Sequence, residues 1–293
     1  MSAAVALGQI VAAFGRHYEV ALEDGRLVTG FPLGKKSPYA CGDRVELALS
    51  SPDQGQILRH QPRTSLLYRS DEWKQKIIAA NVSQLVLVTA TEPGFSDELL
   101  TRALVAAEHE GIRALIVLNK CDLKSGLAAA RAQLAPYAAL GYQVLELAAA
   151  EDAAPLLPLL AGQTSLLMGQ SGMGKSTLIN ALVPGAQAAT REISEVLDSG
   201  KHTTTHARLY RLPDGSAIID SPGLQEFGLA HLTLGEIEAA FPEFRPYLGQ
   251  CRFRDCRHQA EPDCAVKQGV AAGQVHPRRL EHFTSLTREP TRR

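Results

Sequence analysis

Several things are scarce in this 293-residue sequence, and each scarcity excludes a class of protein. Long uninterrupted apolar runs are missing. Residues 153–174 carry no charge over 22 positions, but Pro155, Pro158, Gln163, Gln170 and several glycines break the stretch, so it does not read as a membrane helix. The apolar segment 3–14 contains Gln9 and has no basic residue before it, Arg16 being the first, which does not read as a secretory leader. The chain is therefore expected in the cytoplasm, with no membrane partner. Cysteine is limited to five residues, an odd number, and three of them fall within residues 251–264. In a chain without a leader, that clustering favours a metal site over a disulfide framework. There is one tryptophan, Trp73, no internal repeat and no long low-complexity tract. Net charge is nearly absent at −1, but it is unevenly spread. Residues 62–244 carry 14 basic and 20 acidic side chains, whereas residues 245–293 carry ten basic and five acidic. A basic tail is an electrostatic reason to expect an anionic partner, nucleic acid above all, although a solvated terminus has the same composition.

The remaining composition, 45% hydrophobic and 21% charged, suits ordinary globular folding, and the length allows two or three domains. Residues 1–61 alternate short apolar runs with turn signals. "GQIVAAF", "HYEVAL", "RLVTGF", "DRVELAL" and "QGQILRH" read as five strands, the pattern of a small closed barrel of the OB type. From residue 62 the pattern changes to buried strands alternating with helices. "QLVLVTAT", "RALIVLNKCD", "YQVLEL" and "TSLLMG" are strand runs. Ser96 is placed to cap a helix, Leu99, Leu100, Ala103, Leu104 and Ala107 to line one of its faces, and Gly111 to end it. Such alternation implies a mostly parallel sheet.

Four motifs carry chemistry. Gly169-Gln170-Ser171-Gly172-Met173-Gly174-Lys175-Ser176, followed by Thr177, fits the phosphate-loop pattern between a strand and a helix. Its glycines let backbone N–H groups approach phosphate oxygens, Lys175 supplies a cation to the β- and γ-phosphates, and the Ser176 hydroxyl can ligate magnesium. Asp220 to Gly223, "DSPG", follows the strand "SAIID". There Asp220 would hold magnesium through water and the Gly223 N–H would reach the γ-phosphate. Between the two lies "GKHTTTHARLYRL", a stretch that reads as loop or exposed strand edge. Thr204 is chosen to complete the magnesium shell, with Thr203 and Thr205 as neighbours able to serve. Asn119-Lys120-Cys121-Asp122 fits N-K-x-D. The Asp122 carboxylate can accept from guanine N1–H and N2–H, a donor pair adenine lacks. Lys120 can lie over the base, and Asn119 can tie the loop to neighbouring backbone.

The base reader thus precedes the phosphate reader, the reverse of the usual order. A sheet can keep its arrangement if old termini are joined and new ones opened, because chain ends lie close together at domain surfaces. The order therefore predicts a circularly permuted domain flanked by two others. The expected division is a barrel at 1–61, a permuted P-loop α/β domain at 62–228 and a mostly helical metal-binding domain at 229–293. In the last, Cys251, Cys256, His258 and Cys264 offer three thiolates and an imidazole, a closed tetrahedral set for one structural zinc. Arg252, Arg254 and Arg257 are interleaved with them and can meet RNA phosphates.

These motifs together resemble the small-ribosomal-subunit-dependent, circularly permuted GTPases, the RsgA or YjeQ/YloQ family: "NKCD", then "GQSGMGKST", "GKHTTT", "DSPG" and "CRFRDCRH…EPDC", with a barrel in front. The resemblance implies an OB-fold, a permuted GTPase domain and a zinc-binding helical domain. It also implies GTP and GDP as ligands, the small (30S) subunit and its rRNA as partner, and a role in late subunit maturation with hydrolysis stimulated by the subunit. The chain is expected to act as a monomer. Two departures stand out. Ala148 and Ala149 replace the serine-containing element that usually follows N-K-x-D, and Met173 stands where valine is common. Gly223 is followed by Leu224, with Gln225 one place late, so the usual water-orienting glutamine is missing. His202, beside Thr204, is the nearest polar side chain in sequence that can swing over the γ-phosphate. Two alternatives fit fewer of these motifs: a zinc-stabilised RNA-binding adaptor that uses GTP as a switch with negligible turnover, and a P-loop ATPase, which Asp122 argues against.

Overall fold

The computed structural model describes residues 5–14, 16–34, 38–70, 75–183, 185–186, 207–221 and 229–288. Strands β1 (Val5–Ala13), β2 (Tyr18–Leu22), β3 (Leu27–Pro32), β4 (Arg44–Leu49) and β5 (Gln54–His60) pair in the order β1-β2-β3-β5-β4. The β1–β4 pairing closes the ring, with Val5 opposite Ala48 and Gln9 opposite Arg44. The five sequence-derived strands are all present. Alternate residues point inward, and Ile10, Val20, Val45, Leu47 and Ile57 form a separate, fully buried core. The result is an OB-like barrel.

A hairpin of β6 (Leu66–Ser70) and β7 (Gln75–Ala80) follows, forming a two-stranded sheet that the sequence reading did not anticipate. The α/β unit then runs β8 (Gln84–Ala90), α1 (Asp97–Glu110), β9 (Arg113–Asn119), α2 (Leu127–Ala139), β10 (Gln143–Glu146), the one-turn α3 (Leu157–Leu160), β11 (Thr164–Met168), α4 (Lys175–Leu182), β12 (Arg208–Arg211) and β13 (Ala217–Asp220). Its strand order is β10-β9-β8-β11-β13-β12, parallel from β10 to β13. Chain direction across the sheet reverses between β8 and β11. In open α/β sheets, ligands bind in the crevice at the carboxyl ends of the strands on either side of such a switch. The crevice here is built from residues on both sides of the phosphate loop in sequence, which is the permutation expected from the motif order. β12 lies in the stretch read as loop or strand edge. It is the edge strand of the α/β unit, yet it pairs antiparallel with β1 of the barrel, Ala12 opposite Arg208.

The C-terminal unit is helical, with α5 (Leu234–Ala239), a 3-10 turn over Pro242–Tyr247, α6 (Ala265–Ala271) and α7 (Pro277–Leu286). Thr233 and Glu236 start α5 with a reciprocal capping box. This unit explains a feature of α1 that periodicity alone does not. Ser96 caps that helix by accepting from the Leu99 N–H, and Gly111 ends it in the left-handed conformation, as expected. Burial, however, extends around the helix from Leu100 to Ala107 and includes Thr101 and Arg102, because α7 and α5 cover the side away from the sheet.

The contact is a buried polar network. Arg279 of α7, 1% exposed, donates to Glu243 Oε1 at 2.5 Å and to Thr101 Oγ1 at 3.0 Å. Its guanidinium lies 4.5 Å from the Phe241 ring centre and 5.3 Å from that of Tyr137. Breaking a buried pair from one side leaves the other charge desolvated and uncompensated. Glu243→Ala should therefore lower stability by about 3–5 kcal/mol. Arg131→Ala, which removes from α2 the partner of Glu146 in an exposed pair, should cost no more than about 1 kcal/mol. Urea denaturation of the two variants beside the parent checks this, and equal midpoints for the two would remove Arg279–Glu243 as the anchor.

Candidate functional site: a nucleotide crevice and a cysteine–histidine cluster

The phosphate loop leaves the carboxyl end of β11 and enters α4. Gly169 is buried there, and a Cβ on it would sit 2.3 Å from the Val88 carbonyl oxygen of β8. Gly174 has φ +89° and stands before the first turn of α4, where a Cβ would meet Asn119 Nδ2 at 2.3 Å. Only glycine fits either place. Ser171 and Gly172 are exposed at the crown of the loop, and Ser176 and Thr177 are exposed on the first turn of α4. Met173 points the other way and is buried at 1% exposure, so the departure from valine is absorbed as core packing.

Lys175 folds back over its own loop, donating from Nζ to the carbonyls of Gly169 at 2.6 Å and Gln170 at 3.0 Å. The ammonium is thus held at the centre of a ring of backbone groups, where a phosphate oxygen can replace those carbonyls. Burial pushes its pKa down, and the nearby Asp220 carboxylate opposes that shift. Asp220 ends β13, in register with Leu167 of β11 and Arg208 of β12. Burial pushes its carboxyl up to about 6, against the pull of Lys175. A partly dehydrated carboxylate next to the phosphate loop suits a hydrated divalent cation. Ser176 is exposed on the first turn of α4, on the same phosphate loop.

Asn119, at the end of β9, joins the two readers. Its Nδ2 donates to the Met173 carbonyl at 2.9 Å. Its Oδ1 accepts from the backbone N–H of Lys120 at 2.8 Å and of Ala149 at 2.9 Å. One amide, 2% exposed, therefore fixes the phosphate loop, the N-K-x-D loop and the Ala148–Ala149 segment together. The Ala149 N–H is spent on Asn119, so a free N–H for a base oxygen has to come from its neighbours. Lys120 takes φ +61° and donates from Nζ to the Glu92 carbonyl at 2.8 Å. Asp122 is exposed at the open side of the loop, where a base edge can reach it.

The sequence reading missed a third wall, residues 91–96. Thr91 Oγ1 donates to the Lys120 carbonyl at 2.9 Å, and the Ser96 N–H donates to Gln170 Oε1 at 2.5 Å. The available signal was positional, since this turn-rich segment follows β8 at the point where the strand order reverses. His202, Thr203, Thr204, Thr205, Gly223, Leu224 and Gln225 lie outside the described residues.

In the C-terminal unit, Cys251, Cys256, His258 and Cys264 converge, all four donor atoms lying within 4.8 Å of one another. His258 Nδ1 lies 3.6 Å from Cys251 Sγ, 3.5 Å from Cys256 Sγ and 3.2 Å from Cys264 Sγ, and Cys251 Sγ is 3.9 Å from Cys264 Sγ. A tetrahedral zinc with ordinary bond lengths needs edges of roughly 3.5–3.8 Å, so the set fits a metal ion. His258 Nε2–H donates to Glu238 Oε1 of α5 at 2.7 Å. That bond leaves Nδ1 free to ligate and fixes the ring orientation. Glu238 is the residue here that the sequence did not reveal, since it lies far upstream on another element.

Comparison with known proteins follows the same lines. The RsgA GTPase family matches residues 60–230. The small ribosomal subunit biogenesis GTPase RsgA of Burkholderia pseudomallei is 56% identical over 289 residues, covering 97% of this chain and 92% of the relative. The crystal structure of YjeQ from Thermotoga maritima superposes with a TM-score of 0.76 at 28% identity, covering 99% of this chain and all of that one. The structure of YloQ, described as a circularly permuted GTPase, gives 0.71 at 28% identity over 99% of this chain and 98% of its own. The likeness takes in the barrel and the cysteine segment as well as the nucleotide crevice, and the chain belongs to the RsgA GTPase family.

Proposed function

We propose that this chain hydrolyses GTP to GDP and phosphate in late maturation of the small ribosomal subunit, with turnover stimulated by the subunit. The observation that carries the reading is the Asn119 amide, which sets an exposed guanine-type carboxylate beside a phosphate loop. The name of the Burkholderia pseudomallei relative supports the subunit as partner, and the basic tail supports contact with its rRNA. We take the three units as 1–61, 62–228 and 229–293, acting as a monomer in the cytoplasm. Among the described residues no helix is long and apolar enough to cross a membrane. The assignment of zinc rests on the three-thiolate, one-imidazole donor set and makes it a structural ion. Ser176 and Thr204 would hold a magnesium ion, with Asp220 acting through water, and that ion would supply charge neutralisation at the β- and γ-phosphates. Lys175 contacts those phosphates, Gly223 meets the γ-phosphate through its N–H, and His202 orients the attacking water in place of the missing glutamine.

GTP turnover with and without purified small subunits is the direct test. A rate that subunits leave unchanged would reduce the chain to an RNA-binding adaptor with GTP as its switch. Base choice should sit on Asp122. Asp122→Asn should lose affinity for GTP and gain it for xanthosine triphosphate, as read by competition for a fluorescent nucleotide, and a variant that holds GTP as tightly as the parent would move the base site elsewhere. His202→Ala should bind GTP normally and lose most of the subunit stimulation, since a positioned water-orienting group contributes ~10²–10⁴-fold. Gln225→Ala should do less, and the reverse ranking would hand the role to Gln225. The metal should be one zinc per chain. Cys256→Ser with His258→Ala should abolish it while nucleotide binding persists and subunit binding falls. A native protein that carries no zinc by elemental analysis ends that assignment.

A further inference from the structure

The segment that gathers the cysteines also holds an aromatic ring out of the fold. Phe253 is 41% exposed, whereas Phe241, Phe244 and Phe283 of the same unit are buried at 0–1%. Exposing such a ring gives the fold nothing, and the backbone that carries it is nevertheless hydrogen-bonded on both sides. Cys251 and Cys256 bracket it, and the Cys256 N–H donates to the Phe253 carbonyl at 3.3 Å. Arg252 is tied down at both ends, its N–H donating to the Asp263 carbonyl at 3.4 Å and its guanidinium to Asp263 Oδ2 at 3.0 Å. That guanidinium lies 5.5 Å from the Phe253 ring centre. Arg254 and Arg257 flank the ring, both exposed and neither in an ion pair among the described residues. Residues 252–257 thus hold three arginines and one aspartate next to one exposed ring in sequence.

An exposed ring on a hydrogen-bonded, arginine-rich loop matches one ligand chemistry well, a flat π-face joined to phosphates. We propose that Phe253 is a stacking platform for an unpaired RNA base, with Arg254 and Arg257 on the flanking phosphates. This rests on the reading of the chain as a factor that acts on the ribosomal subunit. The base must be unpaired because, inside a duplex, both its faces are already stacked. Stacking on an aromatic side chain is sequence-tolerant, and a ring whose loop is already pinned loses little freedom on binding. Attraction by the arginines depends on salt, whereas stacking does not, so the two contributions separate.

The test uses the full zinc-loaded chain with GTP, titrated into purified small subunits and into protein-free small-subunit rRNA over a range of salt. Phe253→Ala should weaken binding to both by about tenfold or more at every salt concentration, leaving the slope of log K against log salt unchanged. Phe253→Tyr should bind as the parent does, and Phe253→Leu, which keeps apolar bulk without a π-face, should behave like Phe253→Ala. Arg254→Ala should instead reduce the slope by about one. Zinc content and GTP affinity, equal to the parent's, certify that each variant is folded; if Phe253→Ala loses zinc, the comparison of Tyr with Leu decides alone. Leucine as good as tyrosine overturns the proposal, and so does a loss confined to intact subunits, which would place a ribosomal protein on the ring. A parent that binds neither subunits nor rRNA at any salt would sink the ribosomal reading itself, an outcome distinct from variants that match a binding parent.

Discussion

The nucleotide crevice depends on the parallel pairing of β8 with β11. Ser165 to Met168 lie opposite Gln84 to Leu87, and every side chain in the paired stretch is buried. The two polar members are bonded to each other, Gln84 Nε2 donating to Ser165 Oγ at 3.1 Å and to the Leu159 carbonyl at 3.0 Å, while Gln84 Oε1 is buried without a partner among the described residues. This seam is where the two halves of the permuted unit meet. The N-K-x-D motif lies between β8 and β11 in sequence, and the phosphate loop follows β11. Burial along two adjacent strands holds the halves in register, with no loop needed to span them. Asn119 then works over a short distance at the carboxyl ends, converting strand register into loop register with three hydrogen bonds. Chain order is irrelevant to that geometry, and so the inverted motif order is compatible with an ordinary site.

The C-terminal unit has a different problem, too little chain for a core of its own. Two devices answer it. Phe241, Phe244 and Phe283 pack on one another with ring centres 4.9–5.5 Å apart, and the His258 ring joins them 5.6 Å from Phe283. The candidate metal cluster is therefore continuous with the aromatic core through one imidazole. The backbone around the donors is strained, with His258 at φ +60° and Asp263 at φ +54°, a region costly for residues other than glycine. Glu238 fixes the orientation of the His258 ring, so that the four donors converge as a set that could hold a metal ion.

What the sequence made legible was local. The phosphate loop, the N-K-x-D tetrapeptide and the cysteine–histidine spacing are short patterns whose chemistry needs those residue types close together, and they were readable without a fold. The barrel strands were readable because their faces alternate. Glu238, Thr101 and Glu243 were not, because each owes its role to an element distant in sequence: Glu238 to His258, Thr101 and Glu243 to Arg279. The hairpin of β6 and β7 escaped notice because it forms a two-stranded sheet of its own, joined to the residues before β4 by the bridge of Ala79 to Cys41. For α1, four of the five expected stripe residues are buried and Leu99 is half-buried, but the second buried face carries Thr101 and Arg102, polar residues that read as solvent-facing until α7 covers them.

Each flanking unit is bonded to an element that leads into the crevice. The barrel grips β12 through the Ala12–Arg208 pairing, through Arg208 to Glu19 at 3.3 Å and through Arg211 to Gln9 at 2.7 Å. β12 runs directly on from the threonine-rich stretch and pairs with β13, which ends in Asp220. The C-terminal unit grips α1 through Arg279 and through His282, whose Nδ1 lies 2.9 Å from Thr101 Oγ1. The amino end of α1 is held to the phosphate loop by the bond from Ser96 to Gln170. Packed strands and helices move as units and do not deform continuously. A large partner that engaged both flanking units would therefore bear on the crevice from two sides, on Asp220 through β12 and on the phosphate loop through α1. A site that lacks its own glutamine after Gly223 is one whose turnover can be set by such engagement, and the permutation places a flanking unit at each end of the chain to provide it.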